Sequence, residues 1–209
     1  IATKAGITRS SDGTRYYDNS LGHLELELDM SLKRLGLEQV DLFYVHRKDK
    51  DTEIEEVTES LAKLIKKGKI KQFGFSEIAP TSLERASKVH PVAAVQSEYS
   101  LATRYPELGL LQKCLSLGTT MVAFSPVGRS ILTDNPHNRA RAEKMPFLKN
   151  NPRFMSPNLE RNVEVTKSFR LFARERGYSA ASLSIAWLLS RGPHILPIPG
   201  TRSPKRLEE

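Results

Sequence analysis

The chain has 209 residues, of which 39% are hydrophobic and 27% are charged, as expected for a globular protein with one substantial core. The formal net charge of +8 is spread along the sequence and no nucleic-acid recognition module is present, so we expect a few anion-binding positions and no nucleic-acid partner. The single cysteine, Cys114, excludes an internal disulfide framework, and its apolar neighbours at helical spacing predict a buried structural thiol. No apolar run reaches the about 18 residues of a transmembrane helix, and no signal peptide is visible. We therefore expect no membrane partner and take the cytoplasm as the default location.

Six apolar segments have the length and composition of β-strands. Most of their residues are apolar, without regular alternation of apolar and polar residues, as expected of parallel strands that are buried on both faces. In chain order they cover residues 1–4, 40–46, 70–76, 92–98, 119–126 and 194–200. Two longer polar segments, 5–19 and 127–158, are predicted to be loops.

Amphipathic segments with helical periodicity separate the strands. They cover residues 21–35, 53–67, 106–117, 159–176 and 180–190, and a further helix starts after Pro80 and runs to about Val89. Ser20 and Ser179 are predicted N-caps, and Pro204 begins a final helix. Thr52, with Glu55 three residues later, gives the second helix a capping-box pattern.

The alternation of strands and helices predicts parallel βαβ units. No GxGxxG sequence follows the first strand, which argues against a dinucleotide-binding Rossmann sheet. The remaining candidate is a (β/α)8 barrel, which needs eight strands. We expect residues 1–209 to form a single domain that holds strands 3 to 8, with the first two strands before Ile1 and an incomplete C-terminus.

Polar or aromatic residues stand where each predicted strand ends. They are Lys4, His46, Ser76, Gln96, Phe124 with Ser125, and the turn 198–202. Each alone has an ordinary interpretation as a loop, surface or core residue. In a β/α barrel, however, the carboxyl ends of the strands carry the active site, and a lysine with a histidine there suits proton transfer.

Six sequence segments in order resemble the aldo-keto reductase superfamily, in particular the bacterial and plant-type branch with an IPGT turn. The segments are ATKAG, DLFYVHR, KGKIKQFGFSE, VQSEYS, AFSPVGRSILT and LPIPGTRSPKRLEE. The resemblance covers essentially the whole chain. It implies a (β/α)8 barrel that reduces aldehydes and ketones with NADPH and uses no metal, and a segment 127–158 that closes over the cofactor and lines the substrate pocket.

The resemblance also implies catalytic roles. The family uses a tetrad of Asp, Tyr, Lys and His, in which Lys4 matches the lysine and His46 the histidine. No residue of the chain matches the aspartate or the tyrosine, so we expect either that both lie before Ile1 or that this chain cannot perform the proton transfer. Tyr16 and Tyr17 follow Lys4 but come at the wrong place in the motif order, and Tyr44 is predicted to be a packing residue.

Cofactor positions are implied in three groups. Ser76 and Gln96 match side chains that bind the nicotinamide carboxamide, and Glu77 stands where many members have asparagine. Phe124 matches the aromatic residue that stacks on the nicotinamide. The positions that hold the pyrophosphate match Ser125, Pro126, Val127, Gly128 and Arg129. The positions around the 2′-phosphate match Gly200, Thr201, Arg202 and Arg206. Glu209 matches the residue that contacts the adenine. The two arginines after the last strand favour NADPH over NADH.

Two alternatives stay open at this point. The first is a cofactor-binding regulatory or interaction protein of the same fold, like the potassium-channel β subunits, without significant turnover. The second is an unrelated phosphate-binding barrel. No motif specifies the physiological carbonyl compound or an oligomeric state.

Overall fold

The computed structural model describes residues 1–209, which form eight strands and nine helices. The strands are β1 (Ala2–Ala5), β2 (Ile7–Arg9), β3 (Arg15–Tyr17), β4 (Val40–Val45), β5 (Ile70–Ser76), β6 (Ala94–Glu98), β7 (Thr120–Phe124) and β8 (Ile195–Pro197). The helices are α1 (Leu21–Leu35), α2 (Ile54–Lys66), α3 (Pro80–Val89), α4 (Leu110–Ser116), α5 (Arg139–Glu143), α6 (Asn158–Val165), α7 (Lys167–Glu175), α8 (Ala180–Leu189) and α9 (Pro204–Glu208). None of these helices combines the length and the apolar character needed to cross a membrane.

Six of the strands form one sheet in the order β1-β4-β5-β6-β7-β8. The pairs β1–β4, β4–β5 and β5–β6 are parallel, as the βαβ alternation predicted. The chain divides into two compact units. Unit 1 comprises Ile1–Ser97 and Pro106–Val122, and unit 2 comprises Glu98–Tyr105 and Ala123–Glu209. The assignment of residues 1–209 to a single domain stays a prediction.

Unit 1 contains the elements that the sequence predicted most closely. The predicted ranges 21–35 and 70–76 coincide with α1 and β5, and the helix predicted to start after Pro80 begins one residue earlier, as α3. The hydroxyl of Ser20 accepts from the His23 amide at 3.3 Å, which confirms this predicted N-cap. Cys114 is fully buried, and burial raises the pKa of its thiol to about 12, as expected for an inert structural cysteine.

A tyrosine ring fills the space above a glycine in the sheet of unit 1. Tyr44 packs with Leu42, Ala94 and Val122 in one core cluster, which confirms its predicted packing role. Gly74 stands opposite Tyr44 in the β4–β5 register. A Cβ atom at position 74 would lie 2.7 Å from the Cε1 atom of Tyr44, so the ring position requires glycine there.

Two predictions in unit 1 were wrong. Residues 5–19 are not only loop, because β2 and β3 pair as an antiparallel hairpin with Thr8 opposite Tyr16. Thr52 does not cap α2, which begins after Glu53. Instead the amide and the hydroxyl of Thr52 both donate to the carboxylate of Asp49, at 2.6 and 3.1 Å.

In unit 2, the segment 127–158 is more ordered than a loop. It contains α5 and two short 3-10 turns, and it contributes Ile131, Leu148 and Phe154 to a buried cluster that Leu159 completes. The apolar residues that build this cluster are spaced irregularly, so no helical or strand periodicity revealed them.

Two predicted helices are interrupted. Residues 106–117 form a 3-10 turn followed by α4, separated by Gly109 at φ 131°. Residues 159–176 form α6 and α7, which separate at Thr166. The Thr166 hydroxyl donates to the Asn162 and Val163 carbonyls at 2.9 and 3.2 Å, a local bond that competes with regular helix geometry. Ser179 caps α8 as predicted, accepting from the Ser182 amide at 3.0 Å.

Candidate functional site

In unit 1, Lys4 and His46 lie at the carboxyl ends of two adjacent parallel strands. Lys4 pairs in register with Tyr44, and the His46 amide donates to the Ala5 carbonyl at 2.8 Å, one step beyond the last register pair. The Nζ atom of Lys4 lies 5.4 Å from the centroid of the Tyr44 ring. The strand ladder therefore fixes both backbones at the same end of the sheet, as predicted.

The surroundings of Lys4 and His46 lower the pKa of both side chains. Burial is the main cause for Lys4, and the neighbouring Arg47 guanidinium adds to it. Burial is again the main cause for His46, followed by the positive charges of Arg47, Lys4 and Arg15. His46 is consequently a neutral imidazole at neutral pH, with one ring N–H to donate.

Ser76 and Gln96 form a register pair between β5 and β6. The Ser76 side chain is buried, at 2% exposure, and its hydroxyl has no hydrogen-bond partner in the chain. Gln96 bonds the Tyr44 hydroxyl, and burial of Tyr44 raises its pKa to about 12. An orphan hydroxyl in such a place suits a ligand amide, because buried polar groups are otherwise paired.

Glu77 follows Ser76 in a left-handed conformation. Its φ is 55°, and its amide donates to the Gln96 carbonyl at 3.0 Å. Non-glycine residues with positive φ are uncommon and cluster at functional sites. Glu77, which stands where the resemblance leads us to expect asparagine, therefore also has a strained backbone.

A reciprocal pair of hydrogen bonds fastens the loops that follow β1 and β4. The Asn19 amide donates to the Asp49 carboxylate at 2.9 Å, and the Asp49 amide donates to the Asn19 side-chain oxygen at 2.8 Å. The Asn19 side chain also donates to the Arg47 carbonyl at 3.0 Å. Both residues are buried, so the loop of Lys4 and the loop of His46 are held in one arrangement.

In unit 2, the predicted pyrophosphate segment folds into a turn of unusual backbone conformation. Positive φ values occur at Ser125 (53°), Gly128 (57°), Arg129 (54°) and Ser130 (89°). The Gly128 amide donates to the Ser125 carbonyl at 2.9 Å, and Pro126 and Gly128 are buried. Successive amides that turn toward one side form anion-binding concavities. Here Pro126 has no N–H and the Gly128 and Ser130 amides donate within the turn, so an anion could bind only the other amides of the segment. Phe124, just before the turn, is half-buried.

A half-buried carboxylate holds this turn to a distant segment of unit 2. The Glu98 carboxylate accepts from both terminal nitrogens of Arg153, at 2.7 and 3.1 Å, and from Arg129 at 3.4 Å. Arg153 also donates to the Thr103 hydroxyl at 2.9 Å. Burial opposes ionisation of Glu98, but the hydrogen bonds and charges of the two arginines hold its pKa below the usual range.

The predicted 2′-phosphate and adenine positions lie after β8 and in α9, and all are exposed. The Thr201 hydroxyl accepts from the Ser203 amide at 3.2 Å and so shapes the start of α9. Arg206 lies in α9, and the Glu209 carbonyl accepts from the Ser182 hydroxyl at 2.8 Å. Gly200 and Arg202 lie in the same exposed stretch. The side chains of Arg202 and Arg206 are therefore available to an anionic ligand.

Residue-by-residue reasoning did not find the Asn19–Asp49 pair or the Glu98–Arg153 pair. Partners separated by 30 and 55 positions have no shared local pattern in the sequence. One usable signal was Glu98 itself, an acidic residue at the end of an apolar strand. The roles assigned to the individual site residues stay predictions.

Comparison with known proteins identifies the family. The aldo/keto reductase family model matches residues 1–209, and the chain belongs to this family. It is 38% identical to an NADP(+) aldo-keto reductase of Schizosaccharomyces pombe, 37% to an aldo-keto reductase of Strobilurus tenacellus and 36% to a probable aldo-keto reductase of Glycine max. Each alignment covers 100% of the chain but only 63%, 62% and 60% of the relative, so the chain spans about three fifths of their length.

Solved structures agree with this result. A glycerol dehydrogenase of Gluconobacter oxydans matches 99% of the chain and 64% of its own length, with a TM-score of 0.84 and 27% identity. A thermostable aldo-keto reductase, solved with the inhibitor epalrestat, matches 90% of the chain and 59% of its own length, with a TM-score of 0.68 and 26% identity. Family and neighbours confirm the predicted fold class, the (β/α)8 barrel.

Proposed function

We propose that this chain contributes the catalytic lysine and histidine and the cofactor-binding residues of an NADPH-dependent reductase of aldehydes and ketones. The observation that carries the proposal is the fixed placement of Lys4, His46, Ser76 and Gln96 at the carboxyl ends of adjacent parallel strands in unit 1. Family membership supports the reaction class, and the NADP(+) in the name of the fission-yeast relative supports the cofactor.

Each unit, taken by itself, contains residues that fit part of the cofactor. In unit 1, the buried orphan hydroxyl of Ser76 suits the nicotinamide carboxamide. In unit 2, the left-handed turn of Ser125–Arg129 suits a pyrophosphate, and the buried Nε atom of Arg129 has no hydrogen-bond partner in the chain. Arg206 suits a 2′-phosphate, because a guanidinium binds phosphate with paired hydrogen bonds.

When bound, the cofactor supplies a hydride to the carbonyl carbon. His46, neutral because burial lowers its pKa, orients the carbonyl and donates a hydrogen bond to the oxygen as negative charge develops there. The Lys4 ammonium lowers the pKa of the proton donor, the tetrad tyrosine that no residue of this chain matches. Tyr44 is not assigned as the donor, since a pKa of about 12 makes it a weaker acid than an ordinary tyrosine.

The proposal is tested by following the loss of NADPH absorbance with 4-nitrobenzaldehyde as a generic substrate, together with a fluorescence titration of NADPH. We expect NADPH binding and turnover that both saturate. Failure to bind NADPH would reject the cofactor assignment. Tight binding without turnover would instead favour the regulatory alternative of the same fold.

A further inference from the structure

The Asn19 side chain lies where the loop after β1 and the loop after β4 meet in unit 1. Its amide nitrogen donates to the Arg47 carbonyl at 3.0 Å. A Cβ atom at Gly6 would lie 2.8 Å from the Asn19 Nδ2 atom and 3.7 Å from the Arg47 carbonyl oxygen, so these residues meet at one point. Gly6 follows Lys4 by two positions, and Arg47 follows His46 directly. Asn19 thus contacts the segments next to both assigned catalytic residues.

Hydrogen bonds hold the backbone on both sides of His46. The His46 amide donates to the Ala5 carbonyl at 2.8 Å, which continues the bonding between β1 and β4. The His46 carbonyl accepts from the Arg47 guanidinium at 2.6 Å, a bond between neighbours in sequence. The next carbonyl, that of Arg47, accepts from Asn19. Asn19 therefore links the chain just after His46 to the loop that follows β1.

Asp49 fixes the orientation of Asn19. The Asn19 amide donates to the Asp49 carboxylate at 2.9 Å, and the Asp49 amide donates to the Asn19 Oδ1 atom at 2.8 Å. The carboxylate also accepts from the Thr52 and Asp51 amides, at 2.6 and 3.0 Å. Burial opposes ionisation of Asp49, but these amide donors hold its pKa below the usual range. Both polar atoms of the buried Asn19 side chain are consequently bonded, one to each neighbour.

The strand ladder by itself leaves the orientation of His46 open. The last register pair of β1 and β4 is Ala5 with Val45, and His46 lies one residue beyond it. Its backbone torsions, and with them the direction of the ring, depend on how the following residue is held. A displacement of about 1 Å at a catalytic group can lower a rate on the order of a hundredfold. The bond from Asn19 to Arg47 is thus in a position to affect turnover.

We propose that Asn19 and Asp49 are positioning residues that hold His46 in its place beside Lys4 for the reaction. The proposal rests on the proposed function, and neither residue is assigned a contact with substrate or cofactor. Asn19 acts through the Arg47 carbonyl, and Asp49 acts by orienting Asn19. Loss of the link leaves β1 and β4 paired, since their ladder uses neither side chain, but frees the backbone that carries the His46 ring.

Asn19→Ala tests the link, because it removes the bond to Arg47 and the bond from the Asp49 amide. With 4-nitrobenzaldehyde and saturating NADPH, kcat should fall about tenfold or more. The Kd of NADPH should change by less than about twofold, below the value of one hydrogen bond, because the assigned cofactor residues lie elsewhere. Asn19→Asp keeps the size and the acceptor for the Asp49 amide but presents an oxygen to the Arg47 carbonyl. At about pH 8, where an aspartate is ionised, it should have the same effects.

The placement of His46 is measured separately, without turnover. Titration of the histidine ring signals by NMR gives the pKa of His46, whose signal is assigned with His46→Gln. In the unaltered protein, burial lowers this pKa, and the positive charges of Arg47, Lys4 and Arg15 add to it. In both Asn19 variants a displaced His46 ring should have a pKa closer to the ordinary value of about 6.5.

Thr119→Val is the matched control. The buried Thr119 hydroxyl donates to the Val92 carbonyl at 2.9 Å, which is again a bond from a buried side chain to a distant carbonyl in unit 1. Val92 precedes β6 whereas His46 follows β4, and β4, β5 and β6 are parallel, so this bond lies at the opposite end of the sheet. Thr119→Val should lower the free energy of unfolding, measured with urea, but leave kcat and the pKa of His46 unchanged.

An unchanged pKa of His46 in both Asn19 variants overturns the proposal, and so does an unchanged kcat. Equal changes in Thr119→Val also overturn it, because a general loosening of unit 1 would then explain them. If the unaltered protein binds NADPH without turnover, the reductase function fails, and the titration of His46 alone decides whether Asn19 holds this residue in place.

Discussion

The assigned catalytic and nicotinamide-binding residues of unit 1 and the assigned phosphate-binding residues of unit 2 are held in different ways. Lys4, His46, Ser76 and Gln96 follow regular parallel strands, whose ladder bonds fix where each chain ends. The segment 125–130 has no ladder of its own. Four of its residues have positive φ, and Arg129 donates to Glu98, which in turn binds Arg153 from a distant part of the chain.

The position of the strand ends in unit 1 thus depends on regular backbone hydrogen bonds, whereas the conformation of segment 125–130 in unit 2 depends on particular side chains. A strand end is positioned by backbone bonds, so most neighbouring side chains can change as long as the apolar pattern and the space at Gly74 are kept. A strained turn depends on each group that stabilises it. We therefore expect substitutions at the strand ends of unit 1 to change turnover or cofactor affinity with little loss of stability. Substitutions that remove the support of segment 125–130 should also lower the stability of unit 2.

The largest effect is expected in unit 1 from Lys4→Met. Removing the ammonium takes away its effect on the proton donor, so turnover should fall at least about a hundredfold. NADPH affinity, measured by fluorescence titration, should change little because the strand ladder is intact. Lys66→Met, on the exposed face of α2, is the control. A parallel loss of cofactor affinity would contradict the separation between chemistry and binding.

The next effect is expected in unit 2 from Arg206→Ala. Loss of the guanidinium should weaken NADPH binding by about tenfold or more and leave NADH binding unchanged, because only NADPH carries the 2′-phosphate. Lys167→Ala provides a comparison, since Lys167 pairs with Glu164 at 3.6 Å on an exposed helix. The assignment is rejected if NADH and NADPH weaken equally.

Glu98→Gln tests the support of the turn. Its loss leaves two arginines without their carboxylate, and we expect a cost of about 1–3 kcal/mol in the free energy of unfolding, measured with urea. Because the folded pKa of Glu98 is depressed, its contribution is present above the unfolded value of about 4.3 and is lost as pH falls through the folded pKa.

The matched control for Glu98 is Glu143→Gln. Glu143 accepts from Arg139 at 2.7 Å in an exposed pair four residues apart, and such pairs contribute about 0.5 kcal/mol or less. Glu98 does not support the turn if both variants lower the free energy of unfolding equally at neutral pH. The same conclusion follows if the difference in free energy of unfolding between Glu98→Gln and the unaltered chain does not change as the pH is lowered.

The smallest effect is expected from Ser76→Ala. The hydroxyl is buried without a partner, so its removal should leave the free energy of unfolding unchanged or slightly higher. NADPH affinity should fall by only about fivefold, the value of one neutral hydrogen bond. A lower stability without a change in affinity would show that Ser76 serves the fold and not the cofactor.

The same contrast governs how far the sequence predicts the structure. Apolar runs bounded by glycine and proline place β5 to the residue and the start of α3 within one residue, because burial and backbone limits act locally there. The hairpin at 7–17 was missed because its strands are short and exposed, so Tyr16 and Tyr17 bury no apolar face that alternates with polar residues.

Side-chain competition explains the other errors. Thr52 fits a capping pattern, but its amide and its hydroxyl both donate to the Asp49 carboxylate, which is a stronger acceptor. Thr166 lies within an amphipathic pattern that predicts one long helix, and its hydroxyl bonds to the preceding turn separate α6 from α7. Both bonds are local, over three and four residues, and the spacing of residue types is compatible with either outcome, so it does not decide between them.

Gly74 limits how this protein can vary. Any side chain at that position would collide with the Ala94 carbonyl and the Tyr44 ring. Displacing the ring disturbs its bond to Gln96 and its contact with Lys4. In a saturation library selected for activity, position 74 should therefore be as intolerant as Lys4, although glycine has no functional group to offer a ligand. The intolerance of position 74 would reflect the space that the Tyr44 ring needs. Anyone who took intolerance alone as a sign of catalysis would wrongly assign Gly74 a chemical role.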